Sequence, residues 1–146
     1  MKKLFLIVDF QDMFVKGCVG SDLEKGIEER IISCLHEKND IAFTLDKAGA
    51  DLFGGIGKYL GEAVRVFQKH SYGSLDFGNW LLGQDYDIIE LCGLITNICV
   101  LANAVIARSA LPNAEIIVNK SLTACYDDEL GLKNLAVMEG LKITVL

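Results

Sequence analysis

Short runs of apolar residues alternate with longer amphipathic stretches along most of the chain. The first run, residues 4–8, is continuously apolar and closes on Asp9, which is typical of a strand buried on both faces of a sheet. Further short runs predict strands at residues 41–45, 63–67, 87–92, 115–118 and 142–146. The pattern therefore predicts an α/β protein with a sheet of six strands.

Helical periodicity fills the intervals between these runs. After Ser21, apolar residues recur at helical spacing until Asn39 ends the segment, at Leu23, Ile27, Ile31, Cys34 and Leu35. Ser21 and Glu24 form a capping-box pattern at the start of this helix. Helices are also predicted at residues 97–110 and 127–139, a short amphipathic turn or helix at 74–82, and weak helical character at the glycine-rich residues 48–61. Strands that alternate with helices in this way predict a mainly parallel sheet in a three-layer α/β/α architecture.

Side chains capable of chemistry stand at the ends of several predicted strands. Asp9 closes the first strand and Asp46 the second, Lys69 lies just beyond the third, and residues 93–99 follow the fourth. In open parallel α/β sheets, ligands bind beyond the carboxyl ends of the strands. This coincidence makes these residues the candidates for a functional site.

The length and composition are those of one folded domain. A single domain over residues 1–146 accounts for the chain, and its 51% hydrophobic residues and single proline exclude extensive disorder. The 14 basic and 20 acidic side chains give a net charge of −6, without the clustered positive charge that a nucleic-acid surface needs. Composition therefore argues against a nucleic-acid partner.

The N-terminus and the cysteines bear on the compartment. The apolar run at residues 4–8 is too short for a secretory leader or a membrane span, so no membrane association is expected. The five cysteines are odd in number and lack CxxC spacing, which argues against a disulfide framework or a structural zinc site. These features favour a cytoplasmic protein with reduced thiols.

Cys99 is the strongest candidate nucleophile. It lies in a turn between a predicted strand and a predicted helix, where backbone N–H groups and the helix dipole are expected to lower a thiol pKa from its ordinary value of about 8.5. The local sequence alone is more typical of a small buried core residue. A catalytic role for Cys99 therefore depends on what surrounds it.

Asp9 and Lys69 are candidates to assist such a thiol. A carboxylate at Asp9 could accept the thiol proton and return it to a leaving group, the alternative being a helix cap or a salt bridge. An ammonium at Lys69 would stabilise a thiolate and hold Asp9 in place, whereas an isolated lysine is most often solvated. His70 is not expected to face Cys99 together with Lys69, because neighbouring side chains at a strand end point in opposite directions.

Three separate stretches resemble the isochorismatase-like cysteine hydrolases, the family that includes nicotinamidases and other small-amide hydrolases. Residues 6–14, LIVDFQDMF, are similar to the opening strand of the family, with Gln two residues after Asp. Residues 69–74, KHSYGS, are similar to its lysine segment. Residues 93–100, GLITNICV, are similar to its nucleophile turn, the most specific of the three. Their order and spacing match over nearly the whole chain.

The resemblance implies a catalytic triad of Asp9, Lys69 and Cys99. It also implies a cis peptide bond between Leu94 and Ile95, and an oxyanion hole formed by the Ile95 and Cys99 N–H groups. Asp9 would deprotonate Cys99 for attack on a carbonyl carbon and protonate the departing amine, and water would then hydrolyse the thioester. No cofactor is implied.

The match departs from the nicotinamidases at the second strand. Those enzymes carry a metal site that begins with an Asp followed two residues later by His, whereas Asp46 is followed by Lys47 and Ala48. With only His36 and His70 in the chain, the sequence does not support a His-containing metal site. Asp46 is expected to be a loop cap or a partner of Lys47, and no metal is expected. Nicotinamide is accordingly disfavoured as a substrate.

The match also departs in length. Only about twenty residues separate Asp46 from Phe67, where most relatives insert a longer segment, so the pocket is expected to be open or to be completed by a neighbouring subunit. Four aromatic residues could line a small pocket or serve only in packing: Phe14, Phe53, Tyr72 and Tyr126.

The sequence thus predicts an isochorismatase-like hydrolase domain at residues 1–146. Its function would be to cleave a C–N amide-type bond of a small molecule through a thioester on Cys99. The alternative is a catalytically inactive or redox-responsive small-molecule-binding protein on the same scaffold. A homo-oligomer, dimer or tetramer, is expected from the apolar helix faces and from the assembly of relatives.

Overall fold

The computed structural model describes residues 1–18 and 22–146. A sheet of six strands, in the order β3-β2-β1-β4-β5-β6, forms its centre, and every neighbouring pair is parallel. The strands are β1 (Lys3–Val8), β2 (Asp40–Asp46), β3 (Arg65–Lys69), β4 (Ile88–Leu94), β5 (Glu115–Ala124) and β6 (Thr144–Val145). The predicted six-stranded, mainly parallel sheet is confirmed.

Helices cover both faces of the sheet. They are α1 (Asp12–Val15), α2 (Leu23–His36), α3 (Leu75–Leu81), α4 (Leu101–Ala110) and α5 (Asp128–Gly140), with a 3₁₀ helix at Ile56–Glu62 and a π-helical turn at Thr96–Val100. Within residues 1–18 and 22–146, no helix combines the length and the apolar character needed to cross a membrane.

Two apolar cores lie on opposite faces of the sheet because side chains along a strand alternate in direction. Leu4 and Leu6 of β1 point into the core formed with α3, α4 and α5. Phe5 and Ile7 point into the core formed with α2 and the 3₁₀ helix. The sheet between two helical layers confirms the predicted three-layer α/β/α architecture.

Several strands begin or end at residues other than those predicted. β3 covers Arg65–Lys69, two residues later than predicted, so Lys69 belongs to the strand. β5 continues beyond the predicted end at Val118 to Ala124, because its pairing with β4 resumes after a register shift. β6 is only the pair Thr144–Val145. These limits depend on partner strands, which local periodicity does not encode.

The predicted helix at residues 97–110 is divided. Thr96–Val100 forms a π-helical turn, in which the Val100 N–H reaches back to Ile95 O at 3.2 Å, and the α-helix begins at Leu101. Cys99 therefore lies in the π-helical turn and not in the first turn of an α-helix. Such turns are rare in proteins overall, and those that occur are often found at functional sites.

The segment after β2 is held against α2. Ser21, the predicted cap of α2, lies outside the described residues. Glu24 accepts a hydrogen bond from the Gly55 N–H at 2.8 Å, and its carboxylate lies so close to Gly54 that a Cβ there would come within 2.1 Å of it. Gly54 has φ of +58°, which glycine adopts without strain. The short connection between β2 and β3 is thus fixed to α2.

Candidate active site

Three titratable side chains meet at the carboxyl end of the sheet. Asp9 directly follows β1, Lys69 ends β3, and Cys99 lies in the π-helical turn after β4. Lys69 Nζ lies 2.7 Å from Asp9 Oδ2 and 3.7 Å from Cys99 Sγ. Asp9 is 0% exposed, Lys69 is 5% exposed and Cys99 is 7% exposed. The structure thus brings the three candidate residues into one buried cluster.

The backbone at Asp9 turns sharply out of β1. Its φ of +45° is uncommon for a residue other than glycine, and such conformations cost about 1–3 kcal/mol and concentrate at functional sites. The Asp9 N–H donates to Thr44 O at 3.1 Å, and the Thr44 hydroxyl donates to Asp9 Oδ1 at 2.8 Å. These bonds to β2 hold the carboxylate in place and leave Oδ2 to Lys69.

The Asp9 carboxyl has an increased affinity for a proton. Burial raises its pKa above the ordinary range, although the Lys69 ammonium and the Thr44 hydroxyl both act in the opposite direction. A carboxyl with a raised pKa is better matched to proton transfer near neutral pH. Asp9 can therefore accept a proton from a neighbouring group and return it.

The Cys99 thiol is neutral at rest. Burial raises its pKa to about 12, the negative charge of Asp9 acts in the same direction, and the Lys69 ammonium opposes both. The expectation that the helix dipole lowers this pKa is therefore wrong, because burial and a neighbouring carboxylate outweigh it. Activation of Cys99 as a nucleophile requires a base beside it.

Lys69 is held by oxygen atoms on several sides. Besides Asp9, its ammonium donates to Ser71 O at 2.7 Å and lies 3.7 Å from Asp46 Oδ2. The side chain crosses β2, which separates β3 from β1 in the sheet. His70, next in the chain, is exposed, as the alternation of side chains along a strand predicts.

The turn that carries Cys99 begins with an unusual backbone. The Leu94–Ile95 peptide bond is cis, and Gly93 before it has φ of +103°. A Cβ at Gly93 would lie 2.0 Å from Val8 O, so only glycine fits here. This close approach brings the end of β4 against the end of β1, next to Asp9.

The residues near Asp46 do not fit a metal site. Asp46 Oδ1 accepts from the Ala48 N–H at 2.8 Å, which makes Asp46 the loop cap that the sequence predicts. Its carboxylate forms an ion pair with Lys69 and not with Lys47, the other alternative that the sequence left open, because Lys69 projects from the adjacent strand. Both histidines, His36 and His70, are exposed. Within the described ranges, no three His, Cys, Asp or Glu side chains are grouped so that they could hold a metal ion.

The four aromatic candidates occupy different environments. The Phe53 ring packs edge-on against Phe10 at 5.7 Å, and Phe14 lies next to Gly49. Tyr72 and Tyr126 are 64% and 54% exposed. Burial raises the pKa of the Tyr126 hydroxyl, and the Tyr126 ring lies against Gly17, where a Cβ would come within 2.1 Å of it. Phe14 and Phe53 thus pack against the core, whereas most of the surface of Tyr72 and of Tyr126 is exposed.

Buried polar residues that sequence reasoning assigned no role support the cluster. Gln11 is 1% exposed; its Nε2 donates to Asp46 O and Ala50 O, and its Oε1 accepts from the Asp46 N–H. Thr44 bonds Asp9, and Asn103 bonds Cys99 O. Thr44 stands inside an otherwise apolar strand, a signal that could have been noticed, whereas nothing local distinguishes Asn103.

No family model matches the chain, and no curated protein sequence matches it. Its similarities are to solved structures. The chain is similar to a nicotinamidase from Staphylococcus aureus, with a TM-score of 0.86 and 24% identity over 100% of both chains. It is also similar to a pyrazinamidase of Pyrococcus horikoshii in complex with zinc, with a TM-score of 0.85 and 17% identity over 100% of this chain and 99% of that one. An isochorismatase family protein from Desulfovibrio vulgaris matches with a TM-score of 0.83 and 16% identity, over 99% of this chain and 93% of that one. The chain therefore has the isochorismatase-like fold.

Proposed function

We propose that residues 1–146 are an isochorismatase-like cysteine hydrolase that cleaves a C–N amide-type bond of a small molecule through a thioester on Cys99. The observation that carries this proposal is the buried contact among Asp9, Lys69 and Cys99. A nucleophile, a base and a cation that lie together at the carboxyl ends of parallel strands have the composition of a catalytic site. The amidases among the structural neighbours support the reaction class.

The first step begins from a neutral thiol and an ionised carboxylate. Because the pKa of Cys99 is raised, the proton leaves Sγ for Asp9 as Sγ attacks the substrate carbonyl carbon. The Lys69 ammonium, 3.7 Å from Sγ, stabilises negative charge that develops on sulfur and keeps Asp9 oriented. Burial of Asp9 favours its protonated form, which assists this transfer.

The turn after β4 supplies the binding site for the developing oxyanion. In the proposed mechanism, the Ile95 and Cys99 N–H groups donate to the carbonyl oxygen as it becomes negative. Loss of a single donor of this kind costs about 10²–10³ in rate in other hydrolases. The Ile95 N–H belongs to the cis peptide bond, and the Cys99 N–H lies within the π-helical turn.

The remaining steps restore the enzyme. The C–N bond breaks, protonated Asp9 transfers its proton to the departing nitrogen, and the acyl group stays on Cys99 as a thioester. Water then attacks the thioester carbonyl while Asp9 takes up a water proton, and Cys99 leaves with that proton. The net reaction converts an amide and water into an acid and an amine.

The substrate is a small amide that does not depend on a metal for binding. Asp46 is engaged by the Ala48 N–H and by Lys69, and within residues 1–18 and 22–146 it belongs to no group of three His, Cys, Asp or Glu side chains that could hold a metal ion. Nicotinamide is therefore expected to be a poor substrate, in contrast to the named activity of the Staphylococcus aureus neighbour.

A second candidate function is small-molecule binding without turnover. The burial of Cys99, 7% exposed and with a raised pKa, favours this alternative. The same raised pKa opposes a redox-responsive role, since thiolates and not thiols are the species that oxidants attack.

Ammonia release from small primary amides, ureido acids and nicotinamide tests the proposal. Wild type should release ammonia from at least one compound, and Cys99→Ala should not. Rapid-quench mass spectrometry should find an acyl adduct on the peptide that contains Cys99. Cys125→Ser is the control, because its hydroxyl can keep the bond that the thiol makes to Asp127 O. Absence of both turnover and adduct would instead support the binding protein.

A further inference from the structure

Asn103 links the Cys99 turn to the segment that follows Lys69. Asn103 lies in α4 four residues after Cys99 and is 0% exposed. Its Nδ2 donates to Cys99 O at 2.8 Å and to Tyr72 O at 3.3 Å, and its Oδ1 accepts from the Ser74 N–H at 3.0 Å. A single buried amide thus satisfies backbone groups on both sides of the cluster.

The loop at residues 71–74 also orients the Lys69 ammonium. Ser71 O accepts from Lys69 Nζ at 2.7 Å. The loop packs directly on α4, because a Cβ at Gly73 would lie 2.7 Å from Ile106 Cδ1. A shift of the loop away from α4 would move the carbonyl that holds the ammonium, and the distance from Nζ to Cys99 would change with it.

We propose that Asn103 is a positioning residue that sets the separation between the Lys69 ammonium and the Cys99 thiol by clamping the 71–74 loop onto α4. This inference rests on the proposed hydrolase function. Asn103 contacts no reacting atom, and it acts on Lys69 through the loop that carries Ser71 O.

The competing explanation is a local structural role within α4. Asn103 and Cys99 are separated by one helical turn, so the bond to Cys99 O alone could stabilise the start of the helix.

Two variants distinguish these explanations. Asn103→Ser can keep a bond to Cys99 O, because serine hydroxyls bond the carbonyl four residues earlier in helices, but it cannot reach the loop. Asn103→Ala loses all three bonds.

The measurement is the rate of Cys99 alkylation by iodoacetamide as a function of pH, read by peptide mass. Lys69 lowers the pKa of Cys99, so displacement of Lys69 raises this pKa and reduces the thiolate fraction. We expect both variants to react about threefold to tenfold more slowly than wild type, which corresponds to a rise of roughly half to one pKa unit. If wild-type Cys99 reacts too slowly to measure, titration of its ¹³Cβ shift makes the same comparison.

Each outcome decides between the explanations. Equal slowing in Asn103→Ser and Asn103→Ala supports the clamp. Recovery in Asn103→Ser, or faster alkylation in both variants because the turn has loosened, overturns it. Asn119→Ala removes a part-buried amide bond to Glu90 away from the cluster and should react like wild type.

The test does not depend on turnover. Once a substrate is known, both variants should lower kcat with little change in KM, because Asn103 is fully buried and its loss alters the separation of Lys69 from Cys99 and not a contact with substrate. If no amide is turned over but the alkylation rates differ as expected, the proposed reaction fails and the clamp stands. If wild type turns over and the variants match it, the clamp alone fails.

Discussion

Lys69 and Asp9 form a buried ion pair across 60 positions of sequence, with 2.7 Å between Nζ and Oδ2. The side chains are 4% and 0% exposed, so water solvates neither charge appreciably. Each charge is therefore stabilised mainly by the other, and removal of one partner leaves an uncompensated buried charge. The pair lies against Cys99, which connects folding stability to the proposed chemistry.

Lys69→Met is expected to lower the free energy of unfolding at neutral pH by about 3–5 kcal/mol, because Asp9 loses its counter-charge. The pKa of Asp9, already raised by burial, should rise further without Lys69. A carboxyl whose pKa is higher in the folded protein stabilises the fold below its ordinary pKa, and this stabilisation is lost as the pH rises through the raised value. The variant should therefore regain stability relative to wild type on acidification. Urea denaturation across that range measures this, with Lys133→Met in the exposed pair with Glu129 as control.

Thr44→Val should shift the acid limb of the activity profile to higher pH. The Thr44 hydroxyl lowers the pKa of Asp9, so its removal raises that pKa, and Asp9 must be ionised to act as a base. The variant keeps the side-chain shape but should also lose about 1.5–3 kcal/mol of stability at neutral pH, since the bond is to a charged group. The pH dependence of kcat/KM measures the shift. Thr144→Val in β6 is the control and should leave the profile unchanged. If the Thr44→Val profile coincides with that of wild type, or if Thr144→Val shifts the profile equally, the assignment of Asp9 as base is contradicted.

Gly93→Ala should destabilise the protein by about 3 kcal/mol or more. The added Cβ meets Val8 O at 2.0 Å, and φ of +103° is unfavourable for alanine. Gly61→Ala is the matched control, because a Cβ at Gly61 has no neighbour within 4 Å. Thermal unfolding of the two variants should differ clearly. Similar melting temperatures would show that the end of β4 can move away from β1.

Gln11→Leu should loosen the connection after β2. The substitution leaves the Asp46 N–H and the carbonyls of Asp46 and Ala50 without the amide that bonds them. These bonds are part-buried, so we expect the loss of each to cost about 0.5–1.5 kcal/mol. Hydrogen exchange at the Asp46 N–H should quicken, and the unfolding free energy should fall. Gln68→Leu, at an exposed position of β3, is the control and should leave both unchanged.

The sequence alone determined the layout of the elements. Apolar runs such as residues 4–8 and helical spacing such as that from Leu23 to Leu35 are local signals, and they predict the α/β architecture and the six-stranded sheet. They also place Asp9, Lys69 and Cys99 at strand ends, where a parallel sheet gathers them. The length of β5 was missed because its polar residues 119–121 lie in a register shift between two stretches that pair with β4.

Tertiary structure alone decided how the cluster is charged and held. The raised pKa of Cys99 reflects burial beside Asp9, and neither burial nor a contact between residues so far apart in sequence is encoded in the local turn. The partner of Asp46 proved to be Lys69 from the neighbouring strand and not the adjacent Lys47. Asn103 bonds the 71–74 loop from another element. Periodicity acts over a few residues, whereas distances, desolvation and hydrogen-bond partners arise only when distant segments are packed together.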